Sequence, residues 1–431
     1  MLIQNVKGGY DYLPKEQRIR NYINNIIKET FEEFGFLSIE TPILCYYDML
    51  IDKYDEENDI LKEIYRLKDQ GNRNLGLRYD LTVPFAKFIA LNKNNILFPF
   101  KRYEINKVFR DGPVKVGRDR EFTQCDADVV GISGQLIEAE LLSLFVQAFQ
   151  KLNIDIVIKY NSRNLMTGLI LESGVEEDLV SSITTILDKK DKLSSSEFRL
   201  SLSEVGLNRR QISFINKFFS MNLDDLLEYF FNTKNEYIRK GLEEVSNLNK
   251  YLKGLEIDDI CEVSISLARG QNYYTGNVFE VYEKNGKIKG SIGAGGRYDK
   301  IIGNFIGDGE SYPTVGISFG LSSIYELLKN SNSFDNQSQT DILIIPINTD
   351  IECLKIANEI RSFGFCVEVE MTNKKLKKSM DFANKEKIPY VIVLGEDEVK
   401  KKSFVLKNMF NGNITEVKMN ELDILKELII K

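Results

Sequence analysis

Histidine is missing altogether from the 431 residues of this chain, although a globular chain of that length ordinarily carries several. Its absence removes imidazole general bases, Ser-His-Asp triads and histidine-ligated zinc from the chemistry open to the protein. Cysteine is scarce too. Cys45, Cys125, Cys261, Cys353 and Cys366 are widely scattered and fall in no metal-ligand spacing, so reduced, packed thiols are expected and no metal site is drawn from these residues. No run of 18 apolar residues occurs, and the first residues lack a basic segment followed by an apolar stretch. Neither a membrane span nor a secretory leader is therefore expected, and the cytoplasm is the expected compartment. A net charge of −7 speaks against indiscriminate binding of nucleic acid. It leaves room for a local basic surface, for which the runs Lys374–Lys378 and Lys400–Lys402 are candidates, although such runs are also ordinary solvated faces.

What is present is enough apolar sequence, 43% of the chain, to bury more than one core, so two or three domains are expected. From Gln17 to Phe36, apolar residues at Ile19, Tyr22, Ile23, Ile26, Ile27, Phe31 and Phe34 keep a helical rhythm that Gly35 can end, and Leu37–Pro42 reads as the strand after it. Phe100–Arg110 alternates as a half-buried strand, Asp111-Gly-Pro113 breaks it, and Phe122–Val130 returns, which gives strand, polar loop, strand. Alternation in the returning strand puts Gln124, Asp126 and Asp128 on one face, and paired carboxylates in a cleft suit a cationic ligand. Arg110 closes the first strand, where its planar fork can meet a phosphate or simply decorate a hairpin edge. After the strand Ile154–Tyr160, residues 161–258 are helical and charged, and 331–340 is a polar linker. Beyond it Ile342–Ile347, Cys366–Met371 and Tyr390–Leu394 read as strands alternating with helices at Ile351–Phe363 and Lys375–Lys385, a pattern of a mainly parallel α/β module.

The segment Leu267-Ala-Arg-Gly-Gln-Asn-Tyr-Tyr-Thr-Gly276 resembles the histidine-specific signature of histidyl-tRNA synthetases. Four further blocks stand in that family's order: Gly76–Phe85, Phe100–Gln124, Gln124–Gly131, and Gly290–Asp299 with Tyr312–Leu321. The opening Lys7–Pro14 is similar as well, with Tyr10 where an arginine is usual. Glycine clusters alone mean only tight turns or close packing, but five blocks in order cover essentially the whole chain.

The resemblance implies an α+β class II catalytic domain over 1–330, an antiparallel sheet flanked by helices, with a helical insertion at 161–258 that reaches toward the tRNA acceptor arm. It implies an anticodon-binding α/β domain over 341–431 and a homodimer. The substrates implied are L-histidine, ATP with Mg2+, and tRNA(His). Arg110 and Arg269 would flank the α-phosphate, and Phe122 would stack on adenine. Asp80, Thr82, Gln124, Asp128, Tyr273 and Tyr274 would hold the amino group and imidazole of histidine. The chain departs from the family at Ser323, where an arginine usually grips the γ-phosphate, so Arg118 or Arg120 is expected to join the ATP-binding set. Two other readings remain: the histidine-binding regulatory subunit of ATP phosphoribosyltransferase, which keeps the catalytic fold without charging tRNA, and a tRNA-independent ligase with the same adenylate chemistry. The missing histidine fits the synthetase reading, because a histidine-charging enzyme free of histidine can still be translated when its own product is scarce.

Overall fold

The computed structural model describes residues 3–51, 60–115, 117–190, 193–269, 273–330, 338–372 and 374–429. Much of the expected linker, and Gly270, Gln271 and Asn272 of the signature, lie outside the described residues. The chain divides into two compact units, 1–330 and 331–431.

The first unit opens with the helix Pro14–Glu33, three residues earlier than the apolar rhythm implied. Proline at the first helical position needs no amide partner, and the Leu13 amide donates to Glu16 Oε2 at 2.8 Å, so the first turn is stabilised by residues outside the apolar stripe. Ile19, Ile23, Ile27 and Phe31, four residues apart, form its buried stripe, and Gly35 ends it at a φ of 77°. The strands follow in chain order: β1 (Leu37–Ser38), β2 (Leu44–Tyr46), β3 (Arg66–Lys68), β4 (Asn74–Leu77), β5 (Phe100–Phe109), β6 (Glu121–Val130), β7 (Ile156–Ser162), β8 (Cys261–Val263), β9 (Asn277–Glu283), β10 (Gly293–Arg297) and β11 (Thr314–Gly320). Eight of these form one sheet in the order β1-β5-β6-β11-β10-β9-β7-β8, while β2, β4 and β3 form a small separate one. The large sheet is antiparallel through its centre, but its outer pairs β1·β5 and β7·β8 are parallel, so it is mixed rather than purely antiparallel. β1 is also shorter than the expected 37–42, because past Ile39 the chain leaves the ladder and the Thr41 amide donates to the Glu104 carboxylate at 3.0 Å instead.

Period-2 alternation gives the large sheet two unlike faces. One is aromatic. Phe31 lies 5.4 Å from Tyr103 and 5.7 Å from Phe319, and Phe145 and Phe149 of the helix Leu136–Lys151 lie 4.7 and 5.4 Å from Phe319. Each such ring contributes about 1.5–3 kcal/mol by leaving water. The other face carries the polar residues described below. Between β7 and β8 the chain runs through helices from Arg163–Glu172 to Glu236–Gly254. Five of the helices in this stretch begin on a side chain that accepts from their first amides, Ser162, Ser194, Asn208, Asn222 and Asn235, residue types that favour this position.

The second unit has the strands β12 (Ile342–Ile347), β13 (Val367–Val369), β14 (Tyr390–Gly395), β15 (Ser403–Asn408) and β16 (Ile414–Lys418), ordered β13-β12-β14-β15-β16. The first three are parallel, as the alternation of strands and helices implied, and β15 and β16 add an antiparallel hairpin. The run Ile342–Ile345 is buried on both faces. Ile342 and Ile344 join Ile356, Ile360 and Ile392, while Leu343 and Ile345 join Ala383, Ile388 and Val391. The basic run at 400–402 closes the helix Glu396–Lys401, where cations oppose the helix dipole.

Candidate active site

On the polar face of the large sheet, three rows of cross-strand partners set the site. Arg102, Asp128 and Gly316 share one row, Glu104, Asp126 and Ser318 the next, and Asn106, Gln124 and Gly320 the third. A Cβ on Gly316 would sit 1.8 Å from Asp128 Oδ1, and one on Gly296 would meet the Tyr274 ring at 2.8 Å. Glycine at these two positions leaves room for a carboxylate and a phenol. The result is a cleft of about 270 Å³ lined by Asp80, Thr82, Arg110, Phe122, Gln124, Asp126, Asp128, Arg269, Tyr273, Tyr274, Tyr298 and the glycine strands.

Both arginines singled out in the sequence are fixed in place. Arg110 follows β5, donates from Nε to the Tyr79 carbonyl at 3.3 Å, and holds its guanidinium carbon 4.2 Å from the Tyr79 ring and 5.0 Å from the Phe122 ring. Stacking between two rings leaves the outward nitrogens of the fork available to an anion. Arg269 pairs with Glu280 of β9 at 2.6 Å, and its buried Nε has no partner. Glu280 also accepts from the Tyr282 hydroxyl.

The carboxylates lie deeper. Asp128 pairs with Arg102 at 2.6 Å and accepts from the Tyr298 hydroxyl. Burial pushes its carboxyl up, and Arg102 and Tyr298 pull it back. Asp80 Oδ1 accepts from the Val83 amide at 2.9 Å and so fixes the start of the helix Thr82–Asn92, with Thr82 as its first residue. Glu104 is neutralised by Arg78 at 2.9 Å, both side chains being buried. Gln124 donates to Ser318 Oγ at 3.3 Å, with its own Oε1 buried and unpartnered. Tyr273 and Tyr274 stand 4.7 Å apart, ring to ring, and Tyr273 meets Tyr298 edge-on at 5.8 Å.

Two members of the expected set lie outside the cleft. Arg118 pairs with Glu63 at 2.9 Å and Arg120 with Asp111 at 3.1 Å, so both arginines of the loop are held by carboxylates. Ser323 lies under that loop, its Oγ 3.3 Å from where a Cβ of Gly117 would be. The Gly117 turn thus packs directly against the Ser323 side chain.

A family model described as histidyl-tRNA synthetase matches residues 8–324, and one described as an anticodon-binding domain matches 341–427. The chain belongs to the histidyl-tRNA synthetase family. A protein named histidine-tRNA ligase 1 from Bacillus cereus (strain ZK / E33L) is 45% identical over 98% of this chain and 99% of its own length. The crystal structure of a histidyl-tRNA synthetase from Nostoc sp. PCC 7120 is 28% identical, covers 100% of both chains and superposes with a TM-score of 0.86. An ATP phosphoribosyltransferase regulatory subunit/histidyl-tRNA synthetase from Bacillus halodurans C also has this fold, at 19% identity and a TM-score of 0.77 over 91% of this chain and 98% of that one. At that identity the likeness speaks for the fold alone.

Within a histidyl-tRNA synthetase, the residues that sequence reasoning left out of the site are Arg102, Asp126, Glu280 and Tyr298. Asp126 carried a readable signal, its place between Gln124 and Asp128 on one strand face. Arg102 and Glu280 join the site through strand register, which no spacing in the sequence encodes. Among the described residues no group of three or more metal-ligating side chains stands together.

Proposed function

We propose that this chain is a histidine-tRNA ligase that activates L-histidine with ATP and transfers it to tRNA(His). The observation that carries the reading is that Arg110 and Arg269 line the same cleft as buried Asp80 and Asp128. That cleft pairs anion-binding groups with cation-binding ones in a single site, within a chain of this family. Magnesium enters as part of the substrate, Mg·ATP. The histidine carboxylate is already ionised at neutral pH and needs no general base, which suits a chain without histidine. Its oxygen attacks the α-phosphorus in line, the bond to the bridging oxygen breaks, and pyrophosphate leaves. Arg110 and Arg269 hold the charge that develops on the α-phosphate, and Phe122, packed on Arg110, is placed to stack on adenine. A ribose hydroxyl at the tRNA 3′ end then attacks the carbonyl and AMP leaves.

Asp80, Thr82 and Gln124 are assigned to the amino group, and Asp128, Tyr273 and Tyr274 to the imidazole. A buried polar set of this kind rejects ligands that cannot satisfy it more strongly than a cavity of matching size does. With Ser323 unable to grip the γ-phosphate, Arg118 or Arg120 takes that role by exchanging its carboxylate partner for the nucleotide. Each of these exposed pairs is worth about 0–1 kcal/mol, so the exchange costs little, and a weaker hold on ATP is its signature. Unit 331–431 is assigned to the anticodon, the helical insertion to the acceptor arm, and the working form to a cytoplasmic homodimer. The full-length family match and the intact Arg269 favour this reading over a regulatory histidine sensor. Histidine-dependent ATP–pyrophosphate exchange and charging of purified tRNA by the protein alone are the tests. Binding of histidine with neither activity would transfer the chain to the sensor class.

A further inference from the structure

Asp126 sits at the centre of the polar face, and none of the roles assigned above uses it. Its side chain is 4% exposed, it lines the cleft, and its Oδ1 is buried without a hydrogen-bond partner. The groups facing it come from every element around the cleft. Asp128 and Gln124 flank it on β6, Glu104 stands opposite on β5 with Arg102 one row away, and Ser318 stands opposite on β11. Asp80 lies before the helix Thr82–Asn92, and Tyr298 follows β10 with its hydroxyl on Asp128. Two guanidinium groups, Arg78 and Arg102, thus stand among four carboxylates, and each is engaged with one of them, Glu104 and Asp128. Asp126 is left with a hydroxyl, Ser318, with the charge of Arg102, which is already paired with Asp128, and with two further carboxylates, Asp128 and Asp80, as its electrostatic neighbours.

A buried, unpaired carboxylate cannot stay ionised at no cost, and neutralisation by a proton is the cheapest remedy available to an empty cleft. We propose that Asp126 is a further substrate-binding carboxylate, which keeps a proton while the cleft is empty and surrenders it to solvent as the α-ammonium of L-histidine enters. The proposal rests on the function assigned above. Burial, then the charge of Asp128, with a smaller push from Asp80, raise the Asp126 carboxyl to about 8 against the pull of Arg102 and the Ser318 hydroxyl, so the empty site is protonated at neutral pH. An arriving ammonium reverses the balance, since a cation in the same cavity favours the ionised acid. One proton leaves, one positive charge arrives, and the charge of the cavity is conserved. Histidine binding then becomes pH-linked although the chain contains no imidazole to titrate.

Calorimetric titration of the full chain with L-histidine at pH 7, in buffers of different ionisation enthalpy, counts the protons exchanged. The wild type should release about one proton per histidine bound. Asp126→Asn should bind histidine roughly 10- to 100-fold more weakly and release none. Undiminished release in that variant, or binding without release in the wild type, overturns the assignment. Infrared difference spectra of the wild type keep the question open to test if the variant does not fold. Histidine should abolish a protonated-carboxyl C=O stretch, and an unchanged band overturns the proposal. A wild type that activates histidine but shows no such loss refutes Asp126 alone. A wild type that takes up no histidine at all refutes the ligase reading with it.

Discussion

The two units solve the problem of burying a sheet in opposite ways. The five-stranded sheet of 331–431 is covered on both faces by apolar side chains, and the buried polar residues described there, Thr349, Ser379 and Ser403, are uncharged. The eight-stranded sheet of 1–330 buries Arg78, Asp80, Arg102, Glu104, Asp126 and Asp128 on a face whose reverse is packed with phenylalanine. Buried ions are costly, and a well-packed apolar replacement is often at least as stable, so this face is poorly explained by folding energetics. Its arrangement makes sense as a preorganised environment for a ligand bearing charges of both signs. In the C-terminal unit, by contrast, charge is confined to the surface, as in Lys374, Lys375, Lys377 and Lys378 around the start of the helix Leu376–Lys385. One unit is built to work inside its sheet, and the other outside it.

Changes at the polar face should act on chemistry without unfolding the chain, and the largest effect is expected at Arg269. Arg269→Ala removes one preorganised donor, and histidine-dependent pyrophosphate exchange should fall by roughly 100- to 1000-fold with the circular dichroism spectrum retained. An undiminished rate would reduce the Arg269–Glu280 pair to a structural contact. Ending the chain at residue 330 tests the other half of the contrast. Exchange should remain measurable while tRNA charging collapses, because the second unit has its own core. Charging at the full rate would remove that unit from tRNA recognition. Next in size, Asp128→Ala strands Arg102 and a ligand group, and should raise the KM for histidine about 10-fold or more with the KM for ATP nearly unchanged.

A smaller effect separates stability from function on the same face. The Asp126 carboxyl titrates near 8 when folded and near its ordinary value when unfolded, so the folded chain holds the extra proton across that window. Stability from this group is full below about pH 4 and is lost as pH rises through 8. Asp126→Asn escapes the loss, and its melting temperature in the absence of histidine should rise relative to wild type with increasing pH, levelling off above 8. A constant difference across pH 5–9 would place the proton elsewhere. The smallest change is expected from Ser323→Ala, which should alter the KM for ATP less than about 2-fold, since serine holds nothing that methyl would lose. Ser323→Arg should not tighten ATP binding, because the Gly117 turn packs directly against the side chain at 323; a lowered KM would show that this loop moves aside.

Motifs and alternation made much of this legible before any coordinates. Gln124, Asp126 and Asp128 do share a face, Arg110 does follow β5, and the helices and parallel strands of the C-terminal module fall within a few residues of their expected places. The misses have physical causes. The helix at Pro14 begins before its apolar stripe because its first turn is set by Pro14 and by Glu16 accepting from the Leu13 amide, which periodicity does not weigh. The strand β16 escaped notice since four of its five residues are exposed and give no alternating pattern. Arg102 stayed hidden because only register brings it to Asp128. Arg118 and Arg120 are expected among the ATP-binding residues, and their pairs with Glu63 and Asp111 could not be read without the fold of the loop.

A cleft built without a single imidazole has a practical side. Once L-histidine is bound, its ring is the one imidazole in the whole complex, since all 431 residues lack it. Nuclear magnetic resonance on protein and amino acid both uniformly labelled with nitrogen-15 would then show two ring nitrogens with no other imidazole behind them. Their chemical shifts would report directly which nitrogen carries the proton beside Asp128, a tautomer assignment that most enzymes of histidine chemistry obscure with their own side chains.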